Sequence, residues 1–255
     1  MALAHALLDS RLLLVVSAPF IGSFLGVVVE RWPRGDAFVF GRSRCPHCMH
    51  VLGLRDLVPL VSWFATLARC RYCQRRLSMW YPAIEVSALV IAVWSVVVTP
   101  VGLAWISAIF GWALLTLAVI DLRWLWLPHA LTVPLAFAGL LVNGLWSWQI
   151  PFDQLVGAVF GYLTLTVVAQ LYRRYREREG LGGGDAILFA ALGTWVGWQG
   201  LPTILLYGGI SGLLHLALQN WSGRAIRLTT LLPFGPHLCL GGWLVWLYGP
   251  LYLEW

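Results

Sequence analysis

The chain has 255 residues, 60% of them hydrophobic and only 11% charged, with a mean hydropathy of +0.78 and a formal net charge of +6. Soluble domains carry about 25% charged residues, so a single water-solvated globule is excluded and lipid must be the main solvent. The positive balance comes from arginine alone, 17 residues with no lysine. They cluster between apolar stretches without any nucleic-acid-binding pattern, which reads as topology information and not as a nucleic-acid surface.

A spanning helix needs about 20 mostly apolar residues. In chain order the segments that fit are 12–29, 82–98, 102–120, 127–146, 155–172, 186–199, 201–219 and 231–253. The first is too long for a signal-peptide core and runs into a basic segment instead of a cleavage site, so it is expected to stay as a transmembrane helix. The sixth is short and follows a Gly-rich turn. Trp146, Trp148, Trp198, Trp221 and Trp255 fall near segment ends, as in an interfacial belt. The predicted fold is an all-α polytopic membrane protein with about eight transmembrane helices: a first helix (1–29), a cytoplasmic domain (30–81) and a seven-helix membrane domain (82–255).

Orientation follows from the arginines. If 30–81 is cytoplasmic, so are Arg31, Arg34, Arg42, Arg44, Arg55, Arg69, Arg71, Arg75 and Arg76. Arg123, then Arg173, Arg174, Arg176 and Arg178, then Arg224 and Arg227 join them, leaving Arg11 outside. The opposite topology reverses all of this, so both termini are expected in the periplasm. The cluster from Arg173 to Arg178 reads as an anchor at the lipid surface.

The cytoplasmic segment carries Cys45-Pro-His-Cys48 and Cys70-Arg-Tyr-Cys73 with 21 residues between them. Two Cys-x-x-Cys knuckles at this spacing can set four thiolates tetrahedrally about one Zn²⁺, and a reducing compartment disfavours the disulfide alternative. Four sulfur ligands leave no open position, so the predicted role of the zinc is structural; a segment of about 50 residues buries too little apolar surface to fold securely alone. Cys239, in the last apolar segment, reads as a small apolar residue, and His47 as a bystander between ligands.

Acidic residues are scarce, so their places carry information. Asp121 closes the third apolar segment and Asp185 opens the sixth, both at the predicted cytoplasmic boundary although 64 residues apart. Two carboxylates brought together share a proton and can drive aspartic-protease chemistry. A plainer reading pairs Asp121 with Arg123 and makes Asp185 a helix cap after Gly180, Gly182, Gly183 and Gly184. The residues alone leave both open.

At these positions the chain resembles the type IV prepilin peptidases, the bifunctional leader peptidase and N-methyltransferase family of type IV pili and type II secretion. The resemblance rests on blocks in a fixed order. They are Ile21-Gly-Ser-Phe-Leu-Gly-Val-Val-Val29 with Arg31 and Pro33, the double knuckle with Val58-Pro-Leu-Val-Ser-Trp63, and Tyr81-Pro-Ala-Ile-Glu85. Ile120-Asp121 with Leu127-Pro128, Glu179-Gly-Leu-Gly-Gly-Gly-Asp185 and Leu232-Pro-Phe-Gly-Pro236 complete them. It implies that Asp121 and Asp185 are catalytic and that the substrates are membrane-inserted prepilins or pseudopilins with basic leaders, cut after the Gly preceding the mature N-terminus. It also implies methylation of the new N-terminus from S-adenosylmethionine, in a bacterial inner membrane.

The sequence departs from the family at several points. His129 stands where the family has the Asp of Leu-Pro-Asp, and Ile187 replaces a common Lys. Gly26 replaces an Asn and Leu89 a Gly in the part associated with methyl transfer. Glu85 is the weak candidate for a contact to substrate or cofactor. His215 and His237 lie in apolar segments and read as packed, not ligating. Two other function classes remain on the residues alone: a transporter using intramembrane carboxylates, against which no inverted repeat is found, and a zinc-stapled scaffold of a secretion or pilus system.

Overall fold

The computed structural model describes residues 2–37, 41–177, 182–222 and 233–251, with side chains of the first helix from Asp9 onward. Several residues used above lie outside these: Arg178 to Leu181, Arg224, Arg227, Leu231, Leu232 and Trp255.

Among the described residues, all eight apolar segments hold helices. They are α1 (Ala2–Arg31), α3 (Trp80–Val98), α4 (Ala104–Trp124), α5 (His129–Ser147), α6 (Phe152–Arg176), α7 (Gly183–Val196), α8 (Leu201–Trp221) and α9 (Gly235–Tyr248). A further helix among the described residues, the five-residue α2 (Val61–Ala65), lies between the first two. Among the described residues, six helical stretches are long and apolar enough to cross a bilayer by themselves. The described part of α9 and the whole of α7 have 14 residues each, about 21 Å at helical rise.

The boundaries moved where polar residues continue a helix. Helix α4 runs on through Asp121 to Trp124, so the carboxylate sits in the last turn and does not close the helix. Helix α6 extends to Arg176, which places Arg173, Arg174 and Arg176 where they favour the carbonyl end of the helix dipole. Helix α7 begins at Gly183, three residues before the predicted start, because the glycines form its first turn.

The chain divides into two compact units, Met1–Trp112 and Ala113–Trp255, with α4 passing from one into the other. In the first, α1 packs on α3 with no spacer: a methyl on Gly22 would lie 2.7 Å from the Glu85 Cα and 2.9 Å from the Ala88 Cβ. Leu14, Ala18, Ala88 and Ala92 are fully buried there. Small residues that bring helix backbones together are the usual device in lipid, where apolar side chains gain little by leaving the acyl chains. The Trp112 indole N–H donates to the Ala88 carbonyl at 3.0 Å.

The second unit is built around α7, against which α5, α6 and α9 all pack. Its residues from Leu188 to Trp195 are almost all buried, which explains how so short a helix persists: protein, not lipid, surrounds it. Gly157 of α6 and Gly193 of α7 meet backbone to backbone, and Gly161 lies against the Phe189 carbonyl. On the α5 side, Asn143 Nδ2 donates to the carbonyls of Thr194 and Trp195, both at 3.2 Å, and the Trp195 indole donates to the Leu135 carbonyl at 2.9 Å. The two Asn143 bonds satisfy carbonyls at the end of α7 that water would otherwise have to reach. Replacing Gly193 by Ala would drive a methyl into the Gly157 carbonyl. It is expected to destabilise the unit by about 1–3 kcal/mol, read as a lowered unfolding midpoint of the detergent-solubilised chain.

Candidate functional site

The cysteine segment forms two knuckles of one design. In the first, Cys45 N–H donates to the His50 carbonyl and Met49 N–H to the Cys45 carbonyl; in the second, Cys70 N–H donates to Arg75 and Gln74 N–H to Cys70. Met49 and Gln74, at matching places, both take positive φ, 58° and 57°. A short antiparallel bridge closes each loop, Arg44 with Val51 and Arg69 with Arg76. Across the knuckles His50 stacks on Tyr72 with ring centroids 3.7 Å apart. Asp56 holds the second knuckle through Arg71 Nε and the Tyr72 hydroxyl, each at 3.2 Å.

This brings the four thiols together. All four Sγ atoms lie within 4.8 Å of one another, and Cys45 and Cys73 are 3.9 Å apart. None is in a disulfide. A Zn–S bond of about 2.3 Å gives a tetrahedron with edges of about 3.8 Å, so the donor set fits zinc with a small contraction. The thiols also compete for ionisation. Burial alone raises Cys45, yet the N–H groups of Cys48 and His47 and the nearby thiols bring it down to about 7. Cys48, despite the His50 N–H, is pushed up to about 11 by desolvation and its three neighbours. A divalent cation removes that conflict, because it binds the thiolates themselves.

Both aspartates lie in the second unit. Asp121 and Asp185 are both buried, each with 6% of its surface exposed. They act on each other electrostatically, and the Cys239 thiol on α9 feels both. Each Oδ2 accepts one backbone N–H at 3.1 Å: Asp121 from Gly235, Asp185 from Gly182. Asp185 therefore does cap α7, and the cap engages only one of its oxygens. Leu127, which is buried, packs beside both Gly184 and Gly235. Its side chain lies 2.9 Å from where a methyl on Gly184 would sit and 3.3 Å from one on Gly235.

Gly235 carries a role that the sequence reading did not give it. Its N–H, 114 residues from Asp121, fixes that carboxylate at the start of α9, and a methyl here would lie 2.6 Å from Asp121 Oδ2. The available signal was Gly235-Pro236 at the head of an apolar segment, since proline at the first turn marks a helix start.

The remaining predicted residues fall as follows. Glu85 is buried and lies in the first unit, where its Oε2 accepts the Leu60 N–H at 2.7 Å and Ser23 donates to it. That carboxylate ties α3 to the loop at Leu60 and to Ser23 of the neighbouring helix α1. His129 is exposed at the start of α5. A side chain at Gly26 would meet Ile84 Cδ1 only at 3.7 Å, so packing does not dictate the missing Asn.

His215 and His237 are packed, and they are also bonded in a chain. Ser211 Oγ lies 3.0 Å from His237 Nδ1, His215 Nδ1 is 3.2 Å from His237 Nε2, and Gln219 Nε2 is 2.8 Å from His215 Nε2. Ser211 gives its own proton to the Gly208 carbonyl. The histidines must then each carry hydrogen on Nδ1, with each Nε2 left to accept, His237 from His215 and His215 from Gln219. The chain fastens α8 to the first turn of α9, next to Gly235.

Comparisons with known proteins bear on both halves of the chain. Residues 16–99 match the family described as the bacterial peptidase A24 N-terminal domain, and residues 108–217 match the type IV leader peptidase family. A prepilin leader peptidase/N-methyltransferase of Aeromonas salmonicida is 35% identical, over 92% of this chain and 89% of its own length. One from Burkholderia pseudomallei is 38% identical over 94% and 86%. A type 4 prepilin-like proteins leader peptide-processing enzyme of Escherichia coli is 35% identical over 90% and 91%. No solved structure matches the chain.

Proposed function

The chain belongs to the type IV leader peptidase family, and from that footing we propose that it removes the leader of type IV prepilins or pseudopilins with Asp121 and Asp185 as its catalytic pair. The observation that carries this reading is the burial of two mutually interacting carboxylates, contributed by α4 and α7, around Leu127 and Gly235. One carboxylate takes a proton from water as it attacks the scissile carbonyl, and the protonated partner hydrogen-bonds that carbonyl oxygen. The tetrahedral adduct then collapses, the proton passes to the departing amine, and the products are a leader carboxylate and a new α-amino group.

The arginine distribution supports a cytoplasmic position for this pair and for the zinc knuckles, with both termini periplasmic. The leader of the substrate, being basic, stays on the same side for the same reason. Zinc held by Cys45, Cys48, Cys70 and Cys73 supplies a cross-link and no catalytic position. The N-methyltransferase in the relatives' names supports N-methylation of the product as a second step, for which S-adenosylmethionine would be the methyl donor.

The test is to incubate membranes carrying the full chain with a prepilin and to determine the N-terminus and mass of the product. Cleavage after the leader Gly supports the peptidase, and a further gain of one CH₂ supports the methyltransferase. An unprocessed prepilin would sink the reading. Gly235→Ala is expected to slow cleavage about 100-fold, because displacing a catalytic group by an ångström has that cost, while zinc content stays unchanged.

A further inference from the structure

The segment from Val58 to Leu67 leaves apolar side chains uncovered. Val61 is 64% exposed, Phe64 63% and Leu67 82%. Spaced three apart, they lie toward one side of α2 and its following turn. Their depth can be placed from α3. That helix has 19 residues, about 28 Å against a hydrocarbon core of about 30 Å. It has no length to spare, so a spanning α3 must begin at the edge of the core. Glu85 stands five residues in, about 7 Å below that edge.

Leu60 is tied by a 2.7 Å hydrogen bond to the Glu85 carboxylate, whose side chain leans back toward the helix start and so toward the edge of the core. Holding it there requires an unusual backbone, φ 60° and ψ −54°, which a leucine adopts only when its surroundings enforce it. Helix α2 starts at the next residue and is therefore held near that edge. Its backbone polar groups are suited to such a place. The N–H groups of Val61, Ser62, Phe64, Thr66, Leu67 and Ala68 all end on carbonyls within the same segment. The Thr66 hydroxyl donates back to Ser62. Local satisfaction of the backbone is what an acyl environment demands. Exposed arginines flank the segment, Arg55 before it and Arg69, Arg75 and Arg76 after it, complementary to anionic headgroups.

We propose that residues 58–67 form an interfacial anchor of the zinc segment, with Val61, Phe64 and Leu67 immersed at the acyl boundary of the leaflet in which α3 begins and phospholipid as their partner. The anchor depends on α3 crossing the bilayer and not on the peptidase chemistry, so it stands or falls separately from the aspartates.

The test places photoreactive benzoylphenylalanine in the full chain at Phe64, at Leu67 or, as a control, at the exposed knuckle residue Tyr72. Each form is reconstituted in phosphatidylethanolamine/phosphatidylglycerol vesicles without substrate, and retained zinc identifies folded protein. Lipid adducts, found by peptide mass, are expected to be about 10-fold more abundant at positions 64 and 67 than at 72, as for side chains buried in the interface. Equal yields at the three positions in zinc-bearing protein would overturn the proposal. So would a prepilin, added in a second arm, that replaces lipid as the species captured at 64 and 67, which would make this face a polypeptide docking surface.

Discussion

Leader removal is expected to fall by about 100- to 10,000-fold in Asp121→Asn and in Asp185→Asn, the range that general acid–base groups contribute. Asn is the informative replacement because it preserves what each carboxylate does for the fold. Its amide oxygen can still accept the N–H of Gly235 or of Gly182, the bonds that Oδ2 accepts in the native chain. What it cannot do is take or deliver a proton. The double variant is expected to be no worse than either single one, since the two groups act as a unit. Rates are to be read from prepilin shortening in membranes with matched amounts of each variant. A scaffold would support assembly regardless of these changes, and a transporter would change flux without any processing defect. Cleavage at native rate by either Asn variant would remove the pair from the mechanism.

Serine in place of Cys45 or Cys70 is expected to strip zinc from the purified chain and to open the segment between α1 and α3 to limited proteolysis. Structural zinc contributes about 10–16 kcal/mol of apparent binding free energy in small knuckle-type sites, far beyond what any single packing contact supplies. Cys45 and Cys70 are buried at 1% and 3% exposure, whereas Cys48 is exposed, so the buried pair should show the larger effect. Cys239→Ala is the control, since that thiol lies in α9 of the other unit and its loss should leave zinc intact. Elemental analysis decides the matter, and stoichiometric zinc in the Cys45→Ser and Cys70→Ser forms would exclude the cluster as a metal site.

Much of this was legible in the residues. Apolar length located every long helix, because in lipid the backbone must satisfy itself and helices are the solution. The knuckle spacing announced a four-thiol cluster, because Cys-x-x-Cys puts two sulfurs on one side of a tight turn. Asp121 and Asp185 stood out because an ionisable group at a membrane boundary is costly unless it is used. Helix ends were less legible: α4 passes through Asp121, and α7 starts within the glycines, since a buried carboxylate and a Gly run look like stops in a hydropathy profile.

By itself the sequence determined the solvent, the helical composition, the thiol cluster and the two carboxylates, all properties of residue type and short spacing. Only the tertiary structure decided which distant groups meet. Gly235 reaching Asp121 across 114 residues, Glu85 holding Leu60, and Ser211, His237, His215 and Gln219 joining in one chain are contacts of this kind. Their physical reason is the same in each case. A buried polar atom must find a partner, and which partner it finds depends on how closely glycines and other small residues allow the helices to approach.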